Sequence, residues 1–167
     1  MELARVDEHP LAHQYPTRTP VWWARTGLPG KTLELNGISG RRVVLRIEKR
    51  FNRFERLLAR WLRAPREVRR PLDAMNSMLW ELCDGSRTFA EVCRSMDTVF
   101  QENVAPVVSR ATVALGQFQR NNLLLMLDEP LDGRWRIGPG QTPDQQTLDE
   151  RKMLEEYDIG RLVGEAP

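Results

Sequence analysis

Histidine and cysteine, the residues that most often act as metal ligands or nucleophiles, are scarce in this chain. His9 and His13 have the spacing of one helical face, but Pro10 lies between them and no acid or cysteine completes a ligand set. Cys83 and Cys93 are too few for a disulfide framework and are predicted to be two buried thiols on neighbouring helices. No nucleophile stands beside a base in a recognisable motif. The sequence therefore predicts a protein that is not an enzyme and that holds no metal or cofactor.

The backbone between residues 67 and 72 offers a different kind of chemistry. Residues that precede a proline avoid the helical region, so the run before Pro71 is predicted to be extended. A proline inside a strand marks an edge, because a missing N–H donor is tolerated there. An edge strand presents unpaired N–H and C=O groups to which another chain can bind. The candidate binding residues on this edge are Glu67, Val68, Arg69, Arg70 and Leu72.

Residues 51–63 have the periodicity of an amphipathic helix. Three interpretations remain open for its apolar stripe: packing over the protein's own sheet, docking on a partner protein, and binding at a membrane surface. The membrane surface is the least expected of the three. The stripe consists of Phe51, Phe54, Leu57, Leu58, Trp61 and Leu62, while Arg53, Arg56, Arg60 and Arg63 face away. The candidate residues for partner or membrane docking are Phe54, Arg56, Arg60 and Trp61.

The formal net charge of +2 conceals an uneven distribution. Residues 46–70 carry ten basic residues against three acidic ones, a balance of +7. Residues 128–167 carry five basic residues against ten acidic ones, a balance of −5. This asymmetry favours an anionic partner for the basic region. The alternative is that the acidic segment lies near the basic face within the molecule.

The region from residue 71 to residue 127 is predicted to form three helices in series and then a strand. Asp73 is a good N-cap for the first helix, and Asp84-Gly85 ends it. The second helix begins with a capping box, in which the Thr88 hydroxyl and the Glu91 carboxylate satisfy orphan amides reciprocally. The predicted buried residues are Met75, Met78, Leu79 and Leu82 in the first helix, and Phe89, Val92, Cys93 and Met96 in the second.

The third helix is predicted from about residue 104 to residue 120, and Asn121-Asn122 suits the left-handed conformation at its end. A strand follows at residues 123–127. Asp132-Gly133 is a hairpin signal, with residues 135–137 as the return arm. Two helices joined by a short turn and followed by a strand pair describe a helix-turn-helix with a wing.

A winged helix of this kind is able to read DNA with its third helix. Within that helix only Arg110 and Arg120 are basic, which is fewer phosphate contacts than a groove-reading helix usually has around it. Nucleic acid is therefore not the expected partner. A DNA-binding transcriptional regulator remains the alternative function.

Upstream of the helices, the sequence predicts a small antiparallel sheet. Residues 1–20 contain three prolines and are predicted to be an irregular arm. Residues 21–25 form a strand or a packed loop. The clearest hairpin pairs residues 32–35 with residues 42–47. At the other end, residues 138–167 are predicted to be an acidic tail, in which Asp149–Tyr157 is a candidate helix.

Four stretches resemble the PqqD family, which is named for pyrroloquinoline quinone biosynthesis and includes the recognition elements (RiPP recognition elements) of ribosomally made, modified peptides. The most specific is the run Leu-x-x-Leu-Cys-Asp-Gly-x-x-Thr at residues 79–88. The resemblance is good over residues 71–127 and loose over residues 32–70, where only the strand pattern matches. The stretches are Pro71-Leu72-Asp73, Leu79-Trp80-Glu81-Leu82-Cys83-Asp84-Gly85, Thr88-Phe89-Ala90-Glu91-Val92, and Leu115 with Phe118 and Asn122-Leu123-Leu124.

The resemblance implies an α+β fold, namely a winged helix-turn-helix with a small N-terminal antiparallel sheet (three strands, three helices). The helix at residues 51–63 is an insertion into that fold. The resemblance implies a non-catalytic chaperone role, because such domains bind the leader of a precursor peptide and present it to a modifying enzyme, often a radical S-adenosylmethionine (SAM) protein. The leader adds as a strand to the edge of the third strand, in a cleft walled by the third helix. On that helix the candidate peptide-binding residues are Arg110, Val113, Gln117 and Arg120, unless they form only a solvated face.

The predicted organisation is an arm at residues 1–20, a PqqD-like domain at 21–137 and an acidic tail at 138–167. The arm, the inserted helix, the tail and Asn122, where the family has a glycine, depart from the family pattern. Neither a bilayer-spanning apolar run nor a signal pattern is present, so the expected location is cytoplasmic. The expected partners are an acidic leader peptide and a modifying enzyme of the radical SAM type.

Overall fold

The computed structural model describes residues 3–49, 52–63, 67–146, 148 and 157–167. These residues form an α+β protein with antiparallel sheets, which confirms the predicted class. The strands are β1 (Tyr15–Arg18), β2 (Trp22–Thr26), β3 (Arg42–Glu48), β4 (Glu67–Pro71) and β5 (Leu124–Leu127), and the α-helices are α1 (Arg53–Trp61), α2 (Ala74–Leu82), α3 (Phe89–Phe100) and α4 (Val107–Arg120). Short 3-10 helices span Leu3–Glu8 and Gln101–Asn103.

The main sheet has the strand order β2-β3-β4 and is antiparallel throughout. Because successive side chains of a strand point to opposite faces, the sheet contributes to two clusters. Val43 and Leu45 lie in the main core with the helices, whereas Trp22 and Val44 belong to a smaller cluster on the other face. Within the described residues β4 has a strand neighbour on its β3 side only, so it is an edge strand, as the run before Pro71 predicts.

The helices begin where their capping residues predict. Asp73 accepts a hydrogen bond from the backbone amide of Asn76 at 2.7 Å, and α2 starts at the next residue. Thr88 and Glu91 form the predicted capping box at the start of α3. Asn122 has a φ of 57°, so it takes the left-handed conformation predicted at the end of α4. Between α2 and α4, Trp80 packs edge-on to Phe118 with ring centroids 5.6 Å apart.

The predicted hairpin between residues 32–35 and 42–47 is wrong in its first arm. β3 pairs instead with β2, which sets Trp23 opposite Leu45 and Ala24 opposite Val44. The physical reason is burial on both faces: Trp23 enters the main core and Trp22 the smaller cluster. Residues 32–35 bury no side chain fully and leave Leu35 exposed, so they gain little from sheet pairing.

The predicted hairpin between residues 123–127 and 135–137 is also wrong in its pairing. Asp132 and Gly133 do make the turn, with φ values of 48° and 72°, but β5 pairs with β1. Residues 135–137 instead make hydrogen bonds outside any strand pair: Trp135 Nε1 donates to the Arg18 carbonyl, and Trp23 Nε1 donates to the Ile137 carbonyl, both at 2.8 Å. Residues 15–18, predicted to be part of an irregular arm, therefore occupy the position of the return arm.

The end of the chain packs onto the sheet. Asp158 forms an isolated antiparallel bridge with Arg25, and Glu165 is only 5% exposed. The backbone amide of Ile137 donates to the carbonyl of Pro167 at 2.9 Å. Residues 157–167, predicted to belong to an acidic tail, are thus held against β2. The candidate helix at residues 149–157 lies outside the described residues except for its last member.

Candidate functional site

The outer edge of β4 presents backbone groups that β3 does not use. The amide of Leu72 donates to the carbonyl of Val43 at 2.8 Å, which marks a hydrogen-bonded position of the antiparallel pair. Such positions alternate along the strand, so Arg70 and Val68 direct their amides to β3. Glu67, Arg69 and Pro71 occupy the intervening positions. The N–H and C=O groups of Arg69 therefore point away from the sheet. Pro71 has no backbone N–H, but at its position no β3 carbonyl requires a donor.

The five candidate residues of this edge divide between the two faces of the sheet. Val68 and Arg70 lie opposite Ile47 and Leu45, so they share the face of the main core. Both are exposed, whereas Leu72 is partly buried against that core. Glu67 and Arg69 lie on the opposite face, where the carboxylate of Glu67 pairs with the buried guanidinium of Arg46 at 2.7 Å. Only Val68, Arg70 and Leu72 are therefore on the side of the helices.

A groove of about 360 Å³ lies between α2 and α4. Its side chains are mainly apolar, and Asp73, which follows the end of β4 by two residues, is one of its lining residues. The groove thus begins next to the point where the edge strand ends. The α2 side is lined by Asp73, Met75, Asn76 and Leu79, and the α4 side by Val104, Val107, Ser109, Arg110, Ala111, Val113, Ala114 and Gln117, with Met96 from α3.

Three of the four candidate residues on α4 line this groove. Val113 is 60% exposed, although it is apolar, and Gln117 lies one turn further along the helix. Arg110 is held at the start of the helix by a 2.9 Å hydrogen bond that its Nη1 donates to the Asn103 carbonyl. Arg120 lies apart from this lining, because its Nη1 turns back to within 3.5 Å of the point that a Cβ on Gly116 would occupy. The structure brings Arg110, Val113 and Gln117 together and separates Arg120 from them.

The docking candidates on α1 are all exposed. Phe54 is 75% exposed and Trp61 is 81% exposed, and no residue of α1 is buried. Arg56 and Arg60 are also exposed. Packing of this helix over the protein's own sheet is therefore wrong for the residues that the structure describes. Of the three interpretations, docking on a partner protein and binding at a membrane surface remain.

A buried ionic cluster was missed from the sequence. Arg25 donates from Nε to Glu81 at 3.1 Å and from Nη2 to Glu165 at 2.5 Å, and Glu81 also accepts from the backbone amide and the hydroxyl of Ser39 at 2.9 Å. Burial raises the pKa of Glu81, while Arg25 and Ser39 oppose the rise. The carboxylates of Glu81 and Glu165 are buried and hydrogen-bonded, so the cluster links the C-terminal segment to β2 and α2. The sequence feature that could have indicated this cluster is Glu81, a glutamate within the apolar run of α2.

The two cysteines and His9 lie in packed surroundings. Both cysteine thiols are buried, as predicted, and burial raises the pKa of Cys83, which makes that thiol a poor nucleophile. The ring of His9 packs on Phe89 with centroids 5.0 Å apart. Among the described residues, no group of three or more His, Cys, Asp or Glu could hold a metal ion, and no helix has the length and apolarity needed to cross a membrane.

Comparisons of the chain with family models, with curated proteins and with solved structures give no match. The resemblance to the PqqD family therefore rests on the sequence motifs alone. What the geometry adds is independent of that resemblance: an edge strand with outward backbone groups, next to a mainly apolar groove.

Proposed function

We propose that this protein is a non-catalytic peptide-binding chaperone. It takes the leader of a ribosomally made precursor peptide as an added strand on β4 and presents the peptide to a modifying enzyme of the radical SAM type. The observation that supports this most is the outward N–H and C=O pair of Arg69 on an edge strand that ends beside the groove. A chain that binds by strand addition needs main-chain partners for affinity and a neighbouring pocket for specificity.

The peptide backbone forms hydrogen bonds with the outward N–H and C=O groups of Arg69 and, two residues earlier in β4, with those of Glu67. Side chains on one face of the added strand then point to the side of Val68 and Leu72, where the groove lies. An apolar side chain of the leader enters between α2 and α4 against Val113. The groove selects the peptide, and the strand edge contributes affinity that depends little on sequence.

Charge favours an acidic leader. Arg69 and Arg70 are exposed on β4, and Arg110 lines the groove. Charge complementarity of this kind mainly raises the association rate and excludes wrong partners. The same argument disfavours a basic peptide at this edge.

The winged helix-turn-helix fold is part of the same proposal. α3, the 3-10 turn at Gln101–Asn103 and α4 have the order of a helix-turn-helix, and β5 follows α4 where a wing strand is expected. In this chain the wing strand pairs with β1. A winged helix with its α4 face turned toward a peptide has no need of the phosphate contacts that a DNA reader requires.

Calorimetric titration with synthetic leader peptides, taken from short reading frames that neighbour the gene, tests the strand edge. Arg69→Ala removes a side chain but keeps the outward amide, whereas Arg69→Pro removes the amide at a position that β3 does not use. We expect Arg69→Pro to weaken binding about tenfold or more relative to Arg69→Ala. This corresponds to a loss of roughly 1.4 kcal/mol of binding free energy, because the backbone hydrogen bond from the residue 69 amide to the peptide is removed. Equal affinity of the two variants contradicts strand addition.

The groove is tested by two matched variants in the same titration. Val113→Asp places a charge in the groove, and Val163→Asp makes the same change at a position that is 98% exposed near the end of the chain. We expect Val113→Asp to weaken binding about tenfold or more and Val163→Asp to leave it unchanged. Peptide binding that survives both variants places the site elsewhere. Tight, salt-sensitive duplex binding with no peptide binding favours the DNA-binding alternative.

A further inference from the structure

The exposed apolar stripe of α1 is unusual for a helix that is otherwise well formed. We use the name α1 stripe for Phe54, Leu57, Leu58, Trp61 and Leu62, all of which are exposed. Phe51, the first residue of the predicted stripe, lies outside the described residues. Asn52 and Glu55 form a complete capping box, with the amide of Glu55 donating to Asn52 at 2.7 Å. The shallow depression along the stripe is lined by α1 residues alone. Within the described parts of the chain, nothing packs over this stripe.

The charges beside the stripe have one sign. Residues 52–63 contain four arginines and one glutamate, a balance of +3. Glu55 uses its carboxylate to accept the Asn52 amide at 2.9 Å in the capping box. By helical spacing, Arg53 and Arg60 lie along one border of the stripe and Arg56 lies behind them. A second copy of this chain would bring the same arginines against each other, so the charge disfavours self-association through α1.

We propose that α1 docks on the surface of an anionic lipid bilayer. The helix lies in the plane of the interface, with the α1 stripe at the boundary between headgroups and acyl chains and the arginines reaching to the lipid phosphates. Helices that bind in this way combine aromatic and aliphatic residues on one face with basic residues on the other. Arginine suits the border because its long stem packs on apolar surface while its guanidinium stays at the headgroups.

The shape of the stripe favours lipid over a protein partner. Phe54 and Trp61 project from the two ends of a helix of nine residues, which is about 14 Å long. A bilayer accepts such a projecting ridge without shape complementarity, whereas a stable protein interface buries roughly 800 Å² on each partner and requires a matching groove. α1 connects β3 to β4, so docking leaves the sheet and the α4 groove intact. The inference does not depend on peptide binding.

Co-sedimentation with vesicles tests the proposal on the full chain. The probes are vesicles of phosphatidylcholine alone and of phosphatidylcholine mixed with phosphatidylglycerol. Leu57→Glu places a charge in the α1 stripe, and Leu28→Glu makes the same change at a leucine that is 91% exposed elsewhere. We expect binding to the mixed vesicles only, reduced about tenfold or more by Leu57→Glu and unchanged by Leu28→Glu. Thermal melting of both variants should match the unaltered chain.

Tryptophan fluorescence provides a second readout. Trp22, Trp23 and Trp80 are buried, and the partly buried Trp135 lies outside α1 with its Nε1 donating to the Arg18 carbonyl, so the emission change on adding vesicles should come from Trp61. Trp61→Phe should abolish the blue shift while keeping most of the binding. Two sedimentation results overturn the proposal: an unaltered chain that does not sediment with anionic vesicles, or equal sedimentation of Leu57→Glu and Leu28→Glu. If light scattering instead finds a dimer that Leu57→Glu dissociates, a second copy covers the stripe and the lipid proposal is wrong.

Discussion

Helices α1 and α3 have the same local design and opposite surroundings. Both begin with a complete capping box, Asn52 with Glu55 in α1 and Thr88 with Glu91 in α3. Both carry an apolar stripe at helical spacing. In α3 that stripe is buried among α2 and α4, whereas in α1 every apolar side chain of the stripe is exposed. Periodicity thus defines where a helix is apolar, and only the rest of the molecule decides what covers that face.

The difference also separates two sources of helix stability. Short isolated helices are marginal in water, and most helices in proteins are held by tertiary packing. α3 has such packing, with Phe89 and Val92 fully buried. α1 depends on its capping box and on whatever covers it from outside. Among the described residues, nothing packs over the α1 stripe and no strand pairs with the outer edge of β4, and these two surfaces are the proposed binding sites.

The largest expected contrast comes from one substitution made near the start of each helix. Phe89→Ala removes a fully buried ring from α3 and should lower the free energy of unfolding by about 3–5 kcal/mol. Phe54→Ala removes a ring that is 75% exposed from α1 and should change it by less than about 0.5 kcal/mol. Urea titration followed by circular dichroism measures both. A loss of stability at Phe54 close to that at Phe89 would mean that α1 packs inside the protein.

A smaller contrast comes from the capping residues. Thr88→Ala should cost about 1 kcal/mol of global stability, because α3 belongs to the cooperative core. Asn52→Ala should leave the melting temperature almost unchanged, since α1 can unfold locally. Hydrogen exchange distinguishes the two variants: amides of α1 should exchange faster only in Asn52→Ala. Global destabilisation by Asn52→Ala, comparable to that by Thr88→Ala, would remove the distinction between the helices.

What the sequence predicts well is local. The positions of α2, α3, α4 and β4 follow from caps, turn residues and one proline, and so does the left-handed Asn122. The candidate edge and three of the four candidate residues on α4 could be chosen for the same reason, because each depends on spacing within one element. Arg120 departs from the set because Gly116 leaves room for its side chain to fold back.

What the sequence does not predict is pairing between distant segments. β1 reaches β5 across more than half of the chain, and β3 pairs with β2 rather than with the predicted residues 32–35. An arginine in a strand is predicted to be exposed, yet Arg18 and Arg25 are fully buried. Nη1 of Arg18 donates to the carbonyls of Trp80 and Glu81, and Arg25 pairs with the carboxylates of Glu81 and Glu165. These partners become apparent only in three dimensions.

Strand addition at β4 is tested most directly by hydrogen exchange, residue by residue, on the unaltered chain with and without a saturating leader peptide. The proposed function predicts new protection at the outward amide of Arg69, with little change at Val68 and Arg70, whose amides already face β3. Protection at Arg69 should be accompanied by slower exchange in α4 near Val113. Saturation of the protein with peptide without new protection at Arg69 would contradict strand addition on this edge.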